Sequence, residues 1–256
     1  MKLVIFGIVT GVVLGSLVSV LILSGIFKRK QIELEAANSR LQAINTLLRG
    51  TIAANEDRDM EIPDMEDNSG GWELRLINEH HPLDISYKPD LIEIVPEQFV
   101  DSRIANDTRD MLHDAQAQGM NMLVASAYRS YDQQKEVFAA TMQEWNEKGM
   151  DLFDAYNETK KSVAMPGTSE HASGLALDII SLSYDKLDDH QGDTAEAQWL
   201  MANSWKYGFI LRYPPERADV TGIIYEPWHF RYVGKEAAKK ITELGITLEE
   251  YLGVVS

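Results

Sequence analysis

The sequence predicts an α+β domain over residues 72–256, in which a small, mainly antiparallel sheet is flanked by helices. Three observations favour this fold class. Patterns typical of strands and of helices interleave, the strands are short and hairpin-like, and no internal repeat is evident. The chain has 256 residues, which is enough for one domain of ordinary size plus extensions.

Four strands are predicted from short apolar runs, the first of them at an edge of the sheet. Residues 174–181 alternate in polarity, as side chains on a pleated strand do. In the last strand, Pro227 has no backbone N–H to donate, so we expect a break in the strand there. The predicted strands cover residues 74–77, 122–127, 174–181 and 223–233.

Four helices are predicted between and after these strands. In the first helix, apolar side chains recur on one side, and Gly119 is a typical stop signal. The second is long and follows a buried strand after the segment at residues 128–131. The predicted helices cover residues 102–119, 132–148, 195–207 and 234–252.

The N-terminal region predicts a transmembrane anchor at residues 1–30. Residues 3–27 carry no charge and are dominated by Leu, Val and Ile. As a helix they would be about 37 Å long, which is enough to span a bilayer with some tilt. The alternative is a cleaved signal peptide, but its apolar region is usually only roughly 7–15 residues long, and no A-x-A-like cleavage site follows here.

Residues 31–71 predict a helical stalk followed by an acidic linker. Apolar residues recur in the stalk at spacings of three and four, as in the seam of a coiled coil: Leu34, Ala37, Leu41, Ile44 and Leu48. Two heptads make a weak coiled coil, so the stalk is either a site of weak self-association or simply amphipathic. Residues 55–71 are acidic and lack a periodic apolar pattern, which predicts a flexible spacer.

The composition excludes several functions. The formal net charge is −16, which argues against nucleic acid or anionic lipid as the main partner of the domain. The chain has no cysteine. Disulfides, thiolate metal sites, a cysteine nucleophile and a lipid-modified N-terminal cysteine are therefore all excluded.

The first candidate motif runs from Ser169 to Asp178 and contains His171. In a helix, the Cα atoms of His171 and Asp178 would lie about 10.5 Å apart along the axis. In a straight strand they would lie roughly 23 Å apart, and neither distance allows both side chains to bind one metal ion. Metal binding therefore requires a bend, which is easiest at Ser173-Gly174. The alternative is a surface histidine and an unrelated acid in a turn.

The second candidate motif is Glu226-Pro227-Trp228-His229. Pro227 interrupts the alternation of the strand, so Glu226 can turn to the side of His229. Together the two motifs supply two histidines, an aspartate and a glutamate. This is the inventory of a hydrolytic zinc site, which needs three protein ligands, an open position for water and a base. Spacing alone does not decide which acid is the ligand and which is the base.

Arg129 is a further candidate because it directly follows a buried strand. Its guanidinium suits either a carboxylate or an oxyanion, and the alternative is an ordinary salt bridge. The remaining histidines are not assigned to the metal: His80, His81, His113 and His190. His190 lies among acidic residues. This pattern favours a solvated acidic loop over the alternative, a second cation site.

These segments resemble the S-x-H-x-x-G-x-A-x-D and E-x-W-H pattern of the VanY-type D-alanyl-D-alanine carboxypeptidases, a group that includes bacterial LD-carboxypeptidases. The resemblance extends to residues 127–130, 165–167 and 207–213 and covers roughly residues 72–252. It implies that zinc is bound by His171, Asp178 and His229, and that Glu226 is the catalytic base. It also implies that Arg129 holds the substrate or the tetrahedral intermediate. Ser169 would line the same pocket, and we expect Tyr128 and Ser130, which flank Arg129, to contact substrate.

We therefore expect a membrane-anchored zinc carboxypeptidase that removes a C-terminal D-alanine from peptidoglycan stem peptides. The alternatives are an endopeptidase with the same zinc site and a non-catalytic wall-binding module. Basic residues follow the anchor at 28–30, and this charge pattern would leave the domain in the cytoplasm. The expected substrate lies outside the membrane and long domains translocate largely regardless of charge, so we expect an extracytoplasmic domain. The sequence leaves open whether the bond is DD or LD.

Overall fold

The computed structural model describes residues 71–254 and contains two antiparallel sheets in that range. A two-stranded hairpin is formed by β1 and β2, and a four-stranded sheet has the order β3-β4-β6-β5. The strands are β1 (Leu91–Val95), β2 (Gln98–Asp101), β3 (Met122–Ser126), β4 (Ala176–Ser181), β5 (Phe209–Leu211) and β6 (His229–Tyr232). The predicted α+β class with a small antiparallel sheet is confirmed.

Helices flank the four-stranded sheet. The longest begins with a capping box, in which Ser130 and Gln133 each satisfy the backbone N–H of the other. The helices are α1 (Ala105–Ala117), α2 (Tyr131–Glu147), α3 (Leu152–Thr159), α4 (Ala195–Asn203), α5 (Ala218–Thr221), α6 (Lys235–Leu244) and α7 (Leu248–Leu252). Short 3-10 turns lie at Trp72–Leu74, Ser102–Ile104, Glu170–Ser173, Asp189–Asp193 and Ser204–Tyr207.

The core lies against one face of the sheet. Leu177 and Ile179 of β4 pack with Phe230 of β6 and with side chains from α1 and α4 in one buried cluster. A second cluster joins Ile210 and Val233 to α6 and α7. Every residue of β4 is buried, so the other face of this strand is covered as well. Polar residues on that second face are therefore removed from water.

Two strand predictions were wrong. Residues 74–77 form no strand, because Trp72–Leu74 is a 3-10 turn and the carbonyl groups of Glu73 and Arg75 accept hydrogen bonds from the Arg231 side chain. The last strand begins only at His229 and not at residue 223, because Glu226 to His229 form a turn. In this turn the N–H of His229 donates to the carbonyl of Glu226 at 3.1 Å, and Pro227 takes the second position, which it favours in β-turns.

The predicted C-terminal helix is two helices, because Gly245 ends α6 in the left-handed conformation, with φ at 65°. Among the helices and strands, the sequence interpretation did not predict the β1–β2 hairpin, α3, β5 or α5. The predicted anchor at residues 1–30, and the stalk and linker at 31–71 apart from Gly71, lie outside the described residues. Between residues 71 and 254, no helix combines the length and apolar character needed to cross a membrane.

We predict that Gly174→Ala destabilises the domain by more than the roughly 1–2 kcal/mol that a left-handed backbone costs a residue with a Cβ. Gly174 has a φ of 73°, and a Cβ atom there would lie 2.8 Å from the backbone nitrogen of Asp101. Gly222→Ala is the matched control, since Gly222 has a φ of 76° and no atom within 4 Å of such a Cβ. Free energies of unfolding in urea measure both effects, and equal losses would contradict the steric argument.

Candidate metal centre

Asp178 and His229 lie opposite each other on neighbouring strands. In the antiparallel register of β4 and β6, Asp178 pairs with His229 and Ala176 pairs with Arg231. Facing residues in such a pair have Cβ atoms about 4.5–5.5 Å apart. The Nδ1 atom of His229 lies 3.0 Å from Oδ1 of Asp178, and both side chains are buried. The strand register therefore brings two of the three candidate ligands together.

His171 reaches the same place because the chain bends just before β4. It lies in the 3-10 turn Glu170–Ser173, which Gly174 ends in the left-handed conformation. Its Nε2 atom lies 3.1 Å from Oδ2 of Asp178. One ligand atom from each of His171, Asp178 and His229 lies within 4.8 Å of the other two. The bend at Gly174 thus brings together two side chains that a straight element would keep apart.

The protonation of His171 indicates that a cation belongs in this group. Its Nδ1 atom lies 2.6 Å from the carbonyl oxygen of Ala127, which can only accept, so Nδ1 carries the proton. Nε2 is then a bare lone pair that faces a carboxylate oxygen, and no hydrogen-bond donor from residues 71–254 reaches it. Two acceptors at this distance repel each other unless a positive charge lies between them. Two imidazoles and one carboxylate are a donor set typical of zinc.

His229 faces a carboxylate on each side of its ring. Nδ1 contacts Asp178, and Nε2 lies 3.3 Å from Oε2 of Glu170. Burial alone would lower the pKa of His229, but hydrogen bonds to Asp178 and Glu170 raise it to about 9. Metal-binding histidines commonly donate their other N–H to a carboxylate. A metal ion at Nδ1 would therefore leave the contact between Nε2 and Glu170 unchanged.

Asp178 and Glu226 differ in protonation although both are buried. Burial raises the pKa of the Asp178 carboxyl, yet this pKa lies well below its usual range, because the protonated imidazole of His229 donates a hydrogen bond to the carboxylate and adds a positive charge. Burial raises the pKa of Glu226 to about 8, only partly opposed by the charge of His229. No hydrogen bond to the Glu226 carboxylate is formed by the described residues. Opposite shifts of this kind separate a permanently ionised group from one that exchanges protons near neutral pH.

The residues predicted to bind substrate lie at different distances from this group. Arg129 is close, since its Nη2 atom lies 3.3 Å from Oδ2 of Asp178 and its side chain is 19% exposed. Ser169 is buried directly before the turn that carries His171. The Ser130 hydroxyl accepts the hydrogen bond that caps α2, which leaves its O–H group able to donate. Tyr128 is half-buried, and its backbone N–H donates to Phe99.

A cleft of about 350 Å³ lies near the metal group, although none of the three candidate ligands lines it. Tyr213 lines the cleft, and its ring centroid lies 4.9 Å from that of His229. Thr168, which precedes Ser169, lines it too, together with Lys160 and Lys161. The cleft is therefore large enough for part of a peptide, and Tyr213 is its lining residue next to His229.

The sequence interpretation missed Glu170, which occupies a variable position in the first motif. The signal available was an acid next to a candidate ligand, together with the unassigned Arg212 and Arg231, which both contact Glu170. None of the four histidines outside the two motifs belongs to the group formed by the described residues. His190 is exposed, and its ring lies 3.4 Å from the exposed carboxylate of Asp193.

Comparison with known proteins gives consistent matches. Residues 97–235 match the family model of VanY, D-alanyl-D-alanine carboxypeptidase. A D-alanyl-D-alanine carboxypeptidase of Enterococcus faecalis (strain ATCC 700802 / V583) is 40% identical over 181 residues, which are 71% of this chain and 66% of the relative. The chain thus spans slightly less than two thirds of that relative.

Solved structures agree with the sequence match. The Zn(II) complex of a VanY D,D-pentapeptidase from a VanB-type vancomycin resistance cassette has a TM-score of 0.65 and 38% identity, and the match covers 71% of this chain and 99% of that one. The LdcB LD-carboxypeptidase has a TM-score of 0.61 and 38% identity, with 71% and 86% covered.

We predict that His171→Ala lowers zinc affinity by more than the roughly 10- to 100-fold loss typical of removing an outer-shell partner, because it deletes a ligand atom. His190→Ala is the matched control and should bind zinc like the unaltered protein. Competition with a chromophoric chelator measures both affinities, and elemental analysis gives the zinc content per chain. If the two variants bound zinc equally well, His171 would not be a ligand.

Proposed function

Because the chain belongs to the VanY family of D-alanyl-D-alanine carboxypeptidases, we propose that it is a zinc-dependent carboxypeptidase that removes a C-terminal D-alanine from peptidoglycan stem peptides. The observation that carries this proposal is the buried group of His171, Asp178 and His229, with Glu226 one turn away. Named relatives include both a D,D-pentapeptidase and an LD-carboxypeptidase, so both bonds are candidate substrates.

In this proposal the three side chains of the group hold zinc through Nε2 of His171, a carboxylate oxygen of Asp178 and Nδ1 of His229. When bound, zinc polarises the scissile carbonyl and lowers the pKa of a water molecule. Asp178 suits the role of ligand because its low pKa keeps it ionised. The positive charge of the metal would also favour the anionic form of Glu226.

Glu226 is the proposed general base. It takes a proton from the attacking water, whose oxygen forms a bond to the scissile carbonyl carbon. It then delivers that proton to the nitrogen of the leaving D-alanine as the C–N bond breaks. A pKa raised towards neutrality suits both transfers, because the group must accept and release a proton in one cycle.

Arg129 is the proposed electrostatic partner of the carbonyl oxygen as negative charge develops there. Its guanidinium lies beside Asp178, and its buried Nε atom has no hydrogen-bond partner among the described residues. A fixed donor of this kind can stabilise an oxyanion or hold the terminal carboxylate of the peptide. Ser169 and Tyr128 are also proposed substrate contacts. Ser130 is a further proposed substrate contact, and it also begins α2, which fixes the segment after Arg129.

We propose that the domain acts outside the cytoplasmic membrane, anchored by residues 1–30 and spaced from the bilayer by residues 31–71. The support comes from the uncharged apolar run at residues 3–27 and from the location of peptidoglycan. The basic residues at 28–30 oppose this orientation, but the length of the domain makes the charge rule a weak constraint. The seam in residues 31–49 is proposed to support weak self-association at most.

We predict that Glu226→Gln lowers kcat by roughly 10²- to 10⁴-fold, the usual contribution of general acid–base catalysis, while zinc stays bound. Purified tetrapeptide and pentapeptide substrates, analysed by mass spectrometry, report which bond is cut and how fast. His190→Ala should retain full activity.

Loss of zinc from the Glu226→Gln variant would make Glu226 a ligand. If the unaltered protein bound zinc but released D-alanine from neither peptide, the proposed carboxypeptidase activity would be refuted. Cleavage inside the peptide would instead support an endopeptidase.

The proposed location predicts that a protease added to intact cells digests the domain. Cells whose membranes have been permeabilised are the control for total accessibility. A domain that resists the protease in intact cells and is digested only after permeabilisation would place it inside the cell.

A further inference from the structure

Glu170 contacts His229 but is not one of the proposed ligands. Its side chain is fully buried, and its two oxygens have different partners. Oε2 lies 3.3 Å from Nε2 of His229, whereas Oε1 accepts hydrogen bonds from Nε of Arg212 at 2.7 Å and from Nη1 of Arg231 at 2.8 Å. The carboxylate therefore bridges one imidazole and two guanidinium groups.

We propose that Glu170 is a positioning residue that sets the tautomer of His229, so that Nδ1 presents its lone pair to the metal. This inference rests on the proposed zinc site. An ionised carboxylate only accepts hydrogen bonds, so the His229 nitrogen that faces Glu170 carries the proton. In a neutral imidazole the other nitrogen, Nδ1, then has the free lone pair. Nδ1 lies 3.0 Å from Asp178, the neighbouring proposed ligand, so a zinc ion held by both residues would replace the proton that Asp178 otherwise attracts to Nδ1.

The two arginines hold Glu170 in place because their other N–H groups are themselves fixed by hydrogen bonds to the protein. Arg212 binds both carboxylate oxygens of Glu249, at 2.9 and 2.6 Å. Arg231 donates to the backbone carbonyls of Glu73, Arg75 and Tyr232. A carboxylate fixed from two directions cannot swing away from the imidazole, so the ring of His229 is restrained as well.

The charges within this network balance. Two guanidinium groups face two carboxylates, those of Glu170 and Glu249, and all four side chains are almost completely buried. Buried charges need such pairing. A purely structural role for Glu170 would be to neutralise the arginines. Glu249 also neutralises an arginine, but it forms no hydrogen bond with His229. A comparison of the two glutamates therefore distinguishes a structural role from a positioning role.

Glu170→Gln tests the proposal with little change of shape. The amide oxygen of Gln would face the two arginines, because an NH₂ group there would meet donors. Its NH₂ group would then face Nε2 of His229 and require a lone pair on that atom. The proton would move to Nδ1, which could no longer bind the metal. We expect zinc affinity to fall by roughly 10- to 100-fold, the usual effect of losing an outer-shell partner.

Glu249→Gln is the matched control, because it removes the same charge from Arg212 without touching His229. We expect a lower Tm for the metal-free form of both variants, but a loss of zinc affinity only for Glu170→Gln. Chelator competition measures the affinity. Equal affinity losses in the two variants, or an unchanged affinity in Glu170→Gln, would overturn the proposal.

A measurement on the unaltered, zinc-loaded protein does not depend on how well the variants fold. Long-range ¹H–¹⁵N correlation spectra of the imidazole rings distinguish the two tautomers of His229. We expect the proton on Nε2 and the metal on Nδ1, and the reverse assignment would overturn the role of Glu170. Failure of the unaltered protein to bind zinc would instead refute the proposed function, and with it this inference.

Discussion

The register between β4 and β6 is the constraint on which the site depends. It places Asp178 opposite His229 on the buried second face of the sheet, while Leu177 and Phe230 pair on the face that packs into the core. A slip of one residue would exchange the two faces of a strand. The apolar core thus selects the alignment of the metal-binding group, because only one register buries Leu177 and Phe230 together.

Polar residues on a buried face need compensation, and the arginines provide it. Burial alone would raise the pKa of Glu170, but the charges of Arg212 and Arg231 hold it well below its usual range. Glu249, from the C-terminal helix α7, completes the pairing of Arg212. The segment at residues 73–75 completes that of Arg231. Segments near both ends of the described chain therefore contact the same buried network of arginines and glutamates next to His229.

Local pattern was enough to predict the fold class, the strand at residues 122–127 and the long helix after Arg129. It failed where tertiary partners decide the structure. Residues 74–77 look like a strand, but the carbonyl group of Arg75 accepts a hydrogen bond from the Arg231 side chain, which is distant in sequence. Both candidate motifs were found because motif residues are close in sequence. The partners of Glu170 were not found, because 42 and 61 residues separate it from Arg212 and Arg231.

Sequence spacing alone could not decide which acid binds the metal and which acts as the base. Asp178 and Glu226 are both buried acids near His229, and desolvation raises the pKa of each. Their hydrogen bonds make the difference. Asp178 accepts a hydrogen bond from His229, which favours its ionised form, whereas no described residue donates a hydrogen bond to the Glu226 carboxylate. Pro227 contributes to this outcome, because the turn that it favours places Glu226 before the start of β6. Glu226 therefore lies outside the strand pairing that joins Asp178 to His229. A carboxylate placed there, close to the metal group yet unpaired, stays free to exchange a proton.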